Sequence, residues 1–230
     1  MSPCAHTLDA GRGAESDGFL PRLRALAETF ARELPVRRVA VVGNQPLDPS
    51  PERAHTIDTA DLVFRVNGFR ADDPGEPTVG HRTDVVVFNR GVRPTPWLFE
   101  AYTQRLYLLI EPGRMHWEPE QYPHFWPRDL GFITVSNRDV ILPLNAAMGL
   151  DALRDGLWAT TGMTMIWIAR TLFPEAVCDV TGMSFVDEPD QRSWSHAYDT
   201  DCPVGPEHRL ALEAALVRTW IDEKSVRFHR

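Results

Sequence analysis

Short apolar blocks closed by asparagine, glycine or proline set the rhythm of this chain. Phe19, Leu20, Leu23, Leu26, Ala27, Phe30 and Ala31 recur at helical spacing as far as Pro35, which predicts an amphipathic helix behind a small, polar tail over residues 1–18. Val39 to Val42 is too short for a helix and rich in β-branched residues. It closes at Gly43-Asn44 and is followed by Pro46, Pro49 and Pro51, the pattern of a buried parallel-type strand running into an irregular loop. The same unit returns at Leu62 to Val66 before Asn67-Gly68, at Asp84 to Phe88 before Asn89-Arg90-Gly91, and at Leu106 to Ile110 before Glu111-Pro112-Gly113.

Further along, Met115 to Arg128 holds Trp117, Tyr122, His124, Phe125 and Trp126 among prolines and charges, and fits neither period; a long irregular loop is expected. Its aromatics either cap the core or form an acceptor platform. Phe132 to Val135 and Val177 to Thr181 read as strands. Thr160-Thr161 precedes Met163, Ile166, Trp167, Ala169 and Arg170, a helix with one of the two threonines as its N-cap. Pro206 to about Glu223 reads as a last amphipathic helix with His208 and Glu213 in its first turns. Short apolar strands separated by crossovers predict an α/β fold with a mostly parallel sheet, and direct attention to polar residues just after the strands.

Composition narrows this picture. The 230 residues are 43% hydrophobic and 24% charged, with no linker that divides them, so a single domain over residues 19–230 is expected. A formal net charge of −8, with arginines scattered rather than striped, argues against nucleic acid as a partner. Cys4, Cys178 and Cys202 have neither metal-type spacing nor an even count, which fits a reducing, cytoplasmic setting. No apolar run reaches the length of a membrane span, and nothing in the sequence is read as an export signal.

An asparagine after a buried strand offers both donors and acceptors, although Asn44 and Asn67 can equally serve to satisfy turn backbone. The wider pattern is more specific. VAVVGN, AHTIDTADLVFRVNGF and TVGHRTDVVVFN carry a strand-end VVGN, Ile-Asp, Asp-x-Val-x-Arg-x-Asn and Val-Gly-x-x-Thr in order. Ala159-Thr160-Thr161-Gly162-Met163, Val180-Thr181-Gly182-Met183, His196-Ala197-Tyr198-Asp199, and the pair His208 and Glu213 follow. In order, content and spacing these segments resemble the long, short, third and very short motifs of the sialyltransferases of glycosyltransferase family 29, in the form of a compact bacterial-type relative.

That resemblance implies a single Rossmann-like domain, the GT-A-like variant of the family, with a central sheet flanked by helices. It implies an inverting, metal-independent transferase that uses a CMP-linked sialic acid or related acidic sugar as donor and a hydroxyl-bearing acceptor, with no further cofactor. His208 would be the catalytic base. Asn44 and Asn67 would hold the nucleotide, and Thr160, Thr161 and Gly162 would present a helix N-terminus to the phosphate or carboxylate. Gly182 would let the nucleotide approach the backbone. His196 would assist catalysis at the phosphate, or else be a structural loop residue. Glu207 neighbours His208, but adjacent residues on a helix point apart. The disulfide of secretory members would fall at Val39 and near Glu175, where this chain has no cysteine, so Cys178 reads as a buried strand residue. Ala197 replaces one aromatic of the third motif. Two other readings stay open: a CMP-binding enzyme of specialised metabolism with a different donor or reaction, and a non-catalytic nucleotide-binding protein.

Overall fold

The computed structural model describes residues 18–112 and 123–230. Cys4, Trp117 and Tyr122, and most of the tail and of the aromatic loop, lie outside these. The strands are β1 (Arg38–Val42), β2 (Leu62–Val66), β3 (Val85–Phe88), β4 (Leu106–Leu109), β5 (Ile133–Thr134), β6 (Val177–Thr181), β7 (Ser193–His196), β8 (Asp199–Pro203) and β9 (Val226–His229). The helices are α1 (Phe19–Glu28), α2 (Pro51–Asp58), α3 (Pro96–Phe99), α4 (Leu142–Ala147), α5 (Ala152–Asp155), α6 (Thr161–Leu172) and α7 (Leu210–Asp222). Seven strands form one sheet in the order β5-β4-β3-β2-β1-β6-β9, every neighbouring pair parallel. The α/β reading therefore holds.

A parallel sheet must be covered on both faces, and β2, β3 and β4 are buried at every position. Alternation along the strands divides the side chains between two layers. Val39, Val41, Leu62, Phe64, Val85 and Val87 pack on one face with α1 and α6, through Leu23, Ala27, Met163 and Ile166. Each such aliphatic side chain stabilises the fold by about 1.5–3 kcal/mol through burial. On the other face Val86, Phe88, Tyr107 and Leu109 meet Phe69 and Trp126, while Ala40, Val42 and Val63 meet Ile57 and Ala60. Trp126 stacks on Phe88 with ring centroids 4.9 Å apart, so this member of the aromatic loop caps the core; Phe125 stays exposed.

The motif residues between β2 and β3 brace one another. Arg65 is fully buried, donating from Nε to the Arg82 carbonyl and Thr83 Oγ1, and from Nη2 to the Val79 and Gly80 carbonyls. Burial pushes its pKa down to about 10, against the pull of Asp58 and Asp72. The Asp58 carboxylate accepts the backbone N–H groups of His81 and Arg82, both at 2.9 Å. Ile-Asp, the buried arginine and Val-Gly-x-x-Thr thus close a loop that fixes where β2 ends.

Several elements depart from the sequence reading. Pro51 opens α2 instead of belonging to a loop, because Ser50 caps the helix by accepting Arg53 N–H and proline suits the first turn. The last helix begins at Leu210, so His208 stands in the turn before it and only Glu213 is helical. β7 and β8 form an unforeseen antiparallel hairpin. β9 adds an edge strand, held where the buried Asp179 carboxylate accepts from Arg227 Nε at 2.8 Å, Arg227 Nη2 at 2.7 Å and His229 Nε2 at 2.8 Å.

Candidate active site

The chain winds outward from β1 through β2 to β5, then returns to add β6 on the other side of β1. Such a reversal opens a crevice at the carboxyl ends of the strands. A cleft of about 370 Å³ lies there, and Asn44, Asn67, Thr160, Thr161, Gly162, Gly182, His196 and His208 all line it.

Its floor is bare backbone. Gly43 N–H donates to the Thr181 carbonyl at 2.8 Å and Gln45 N–H to the Gly182 carbonyl at 3.1 Å. A β-carbon on Gly43 would collide with the Gly182 carbonyl, and Gly182 itself adopts φ +68°. Both positions therefore require glycine to let β1 and β6 end against each other.

Two asparagines stand on this floor with opposite polarity. Asn44 donates both amide hydrogens, to the Val66 and Gly68 carbonyls at 2.9 Å each, and so presents its side-chain oxygen as an acceptor. Asn67 takes a left-handed φ of +52°, which asparagine tolerates. Its oxygen accepts the Asn89 N–H at 3.1 Å, and the residue lines the cleft, which leaves its amide donors available there. Asn89 in turn donates to Thr161 Oγ1 at 2.8 Å and ties the end of β3 to the start of α6.

Thr160 is the N-cap of α6, accepting the Met163 N–H at 3.1 Å. Its own N–H and hydroxyl donate to the carboxylate of Glu213, which is fully buried. Burial raises the Glu213 pKa, while the bonds from Thr160 and the nearby His208 oppose that shift. The helix N-terminus at Thr161 and Gly162 is thereby set on the wall of the cleft, with a partial positive end suited to an anion. Gly162 also makes room for Met183, whose sulfur would lie 3.1 Å from an added β-carbon.

The hairpin forms the opposite wall. Ala197 N–H at its tip donates to the Asn44 carbonyl at 2.9 Å, and the His196 and Tyr198 rings stack at 5.3 Å. Burial lowers the His196 pKa, opposed by Asp199 and Asp201 and reinforced by Arg93. Arg93, from the loop after β3, forms an ion pair with Asp199.

His208 completes the cleft. Its Nδ1 lies 3.0 Å from the Trp158 carbonyl. A carbonyl only accepts, so Nδ1 carries a proton, and in the neutral ring Nε2 holds the lone pair. Nε2 is 3.5 Å from Glu207 Oε1. The expectation that Glu207 points away is overturned, because neither residue is helical.

Three solved structures share this architecture. A mammalian sialyltransferase matches 84% of this chain and 69% of its own, with a TM-score of 0.55 and 16% identity. A mammalian sialyltransferase in complex with Gal-beta-1-3GalNAc-ortho-nitrophenol matches 91% and 79%, with a TM-score of 0.53 and 14% identity. A variant of the sialyltransferase CST-II in complex with CMP matches 84% and 80%, with a TM-score of 0.50 and 16% identity. The fold is that of the sialyltransferases. No family model and no curated protein matches the sequence.

Within this sialyltransferase fold, the sequence reading gave no role to Asn89, Arg93, Trp194, Tyr198 or Glu207, which also line the cleft. Asn89 and Tyr198 sit inside the quoted motifs, and a third strand closed by asparagine was the signal for the first. Arg93 and Trp194 carry no local signal. Among the described residues, no helix is long and apolar enough to cross a membrane, and no group of three or more His, Cys, Asp or Glu could hold a metal ion.

Proposed function

We propose that this chain is an inverting, metal-independent glycosyltransferase that moves sialic acid or a related acidic sugar from a CMP-linked donor to an acceptor hydroxyl. The observation that carries the reading is His208, on the cleft wall of a sialyltransferase fold with Nδ1 committed to a carbonyl and Nε2 open as a base.

In this reading, Nε2 of His208 takes the proton of the acceptor hydroxyl as its oxygen attacks the anomeric carbon from the face opposite the phosphate. The new carbon–oxygen bond forms while the bond to the phosphate oxygen breaks, and its electron pair leaves with CMP. The imidazolium so formed is stabilised by the Trp158 carbonyl and by Glu207. Asn44 and Asn67 hold the nucleoside with one acceptor and one set of donors. The α6 N-terminus and His196 balance the donor's negative charges by fixed dipoles and a proton.

The test is incubation with CMP-N-acetylneuraminic acid and a panel of hydroxyl acceptors, scoring free CMP and the anomeric configuration of the product by NMR. Release of CMP with an inverted product is expected. A donor that binds and is returned intact with every acceptor overturns the catalytic reading.

A further inference from the structure

Among the described residues lining the cleft, Arg93 is the one lysine or arginine. It therefore supplies the wall's permanent positive charge, since the two histidines there can lose theirs. Its carbonyl packs against Gly68, where a β-carbon would collide with it, so the loop after β3 is pressed onto the end of β2. From that anchor the half-exposed side chain crosses to Asp199, next to Tyr198, whose ring stacks on His196. One wall thus presents a planar guanidinium, an imidazole and a phenol hydroxyl, three kinds of donor that suit the oxygens of a phosphate.

The geometry points to Arg93 as the residue that recognises the phosphate of the bound nucleotide, exchanging Asp199 for phosphate oxygens when the ligand enters. This assignment rests on the nucleotide reading of the cleft. Half-exposed ion pairs hold weakly. A phosphate monoester offers the guanidinium the same fork of oxygens with up to twice the negative charge of a carboxylate, so the exchange favours the ligand. Asp199 then acts as a selectivity element: an uncharged nucleoside cannot displace it, whereas a nucleotide can.

Calorimetric titration of cytidine and of CMP against the unaltered protein and the R93Q, R93K and D199N variants tests this at fixed ionic strength. The unaltered protein is expected to prefer CMP to cytidine. R93Q should lose about tenfold or more in CMP affinity, the scale of a charged hydrogen bond, with cytidine within about twofold. R93K, which keeps the charge and loses the fork, should fall between. D199N should bind CMP more tightly, its competitor gone.

An R93Q variant that keeps the preference for CMP overturns the assignment. So does a D199N variant that loses CMP as severely as R93Q, because the pair would then matter only for holding the hairpin. If R93Q does not fold, R93K and D199N decide the same comparison. An unaltered protein that binds neither ligand overturns the nucleotide reading itself, a result distinct from cytidine binding without any dependence on Arg93.

Discussion

Glu213 accepts two hydrogen bonds from one residue, the backbone N–H of Thr160 at 2.9 Å and its hydroxyl at 2.6 Å. The first turn of α7 is thereby fastened to the N-cap of α6. Glu213→Ala leaves the Thr160 N–H buried without an acceptor and should cost about 2–3 kcal/mol, with Glu213→Gln milder because its amide oxygen still accepts. Because burial raises the Glu213 pKa above its unfolded value, the ionised form is disfavoured in the fold. Stability should decline as pH rises from the ordinary carboxylate range through the folded pKa, and this component of the slope should vanish in Glu213→Gln. Thermal melting across pH reads both effects; an unchanged melting temperature in Glu213→Ala contradicts the buttress.

His208→Ala should lower turnover by roughly two to four orders of magnitude and leave nucleotide affinity within a few-fold, since a general base acts mainly in the transition state. Turnover and CMP affinity measured on the same folded variant separate the two. Near-normal turnover would remove His208 as the base.

His196 should make CMP binding pH-dependent. Burial holds its pKa below the usual histidine value. A neighbouring phosphate favours the imidazolium, so the bound pKa is the higher of the two. This contribution to affinity is fully present below the free-state pKa and is lost as pH rises through the bound-state pKa. The phosphate's own second ionisation, near pH 6, works in the opposite direction. The comparison that isolates the histidine is therefore affinity against pH for His196→Gln beside the unaltered protein; superimposable profiles would exclude a charged role for this ring.

CMP affinity and turnover should survive EDTA. The donors that this reading assigns to the phosphate are backbone N–H groups at the start of α6 and side chains of the opposite wall, and among the described residues no cluster of three or more His, Cys, Asp or Glu could hold a metal ion. Affinity lost in chelator and restored by a divalent ion would contradict a metal-free mechanism.

Legibility in the sequence followed how local each cause is. Val39 to Val42, Leu62 to Val66 and Leu106 to Leu109 announce themselves because a strand buried on both faces is almost wholly apolar, the hydrogen-bonded Arg65 being the exception. β7, with Ser193, Trp194, Ser195 and His196, does not; it is half exposed, and its tip is fixed by the Ala197 bond to Asn44, far away in sequence. β9 is equally silent, since Arg227 and His229 interrupt its apolar positions and are accommodated by the buried Asp179 of the neighbouring strand. At the cleft, glycines and strand-end asparagines were readable because they answer local backbone demands. Arg93 was not, for its meaning depends on a partner across the cleft. The placement of His208 and Glu207 failed by one turn of helix, because the pattern extends an amphipathic helix back to Pro206 while the chain turns at Pro206 and Glu207 before Leu210 begins it.

The Gly43 and Gly182 contact ties ligand binding to the whole fold. The floor exists only while β1 and β6 end side by side, and the walls are drawn from segments between Asn44 and His208. No fragment of the chain holds the cleft in advance, so the unfolded ensemble should have little affinity for the ligand. Occupancy is then coupled to global unfolding: a ligand at a hundred times its Kd raises the stability by about 2.7 kcal/mol. The protein becomes its own assay, with each candidate nucleotide ranked by how far it moves the melting curve before any acceptor is known.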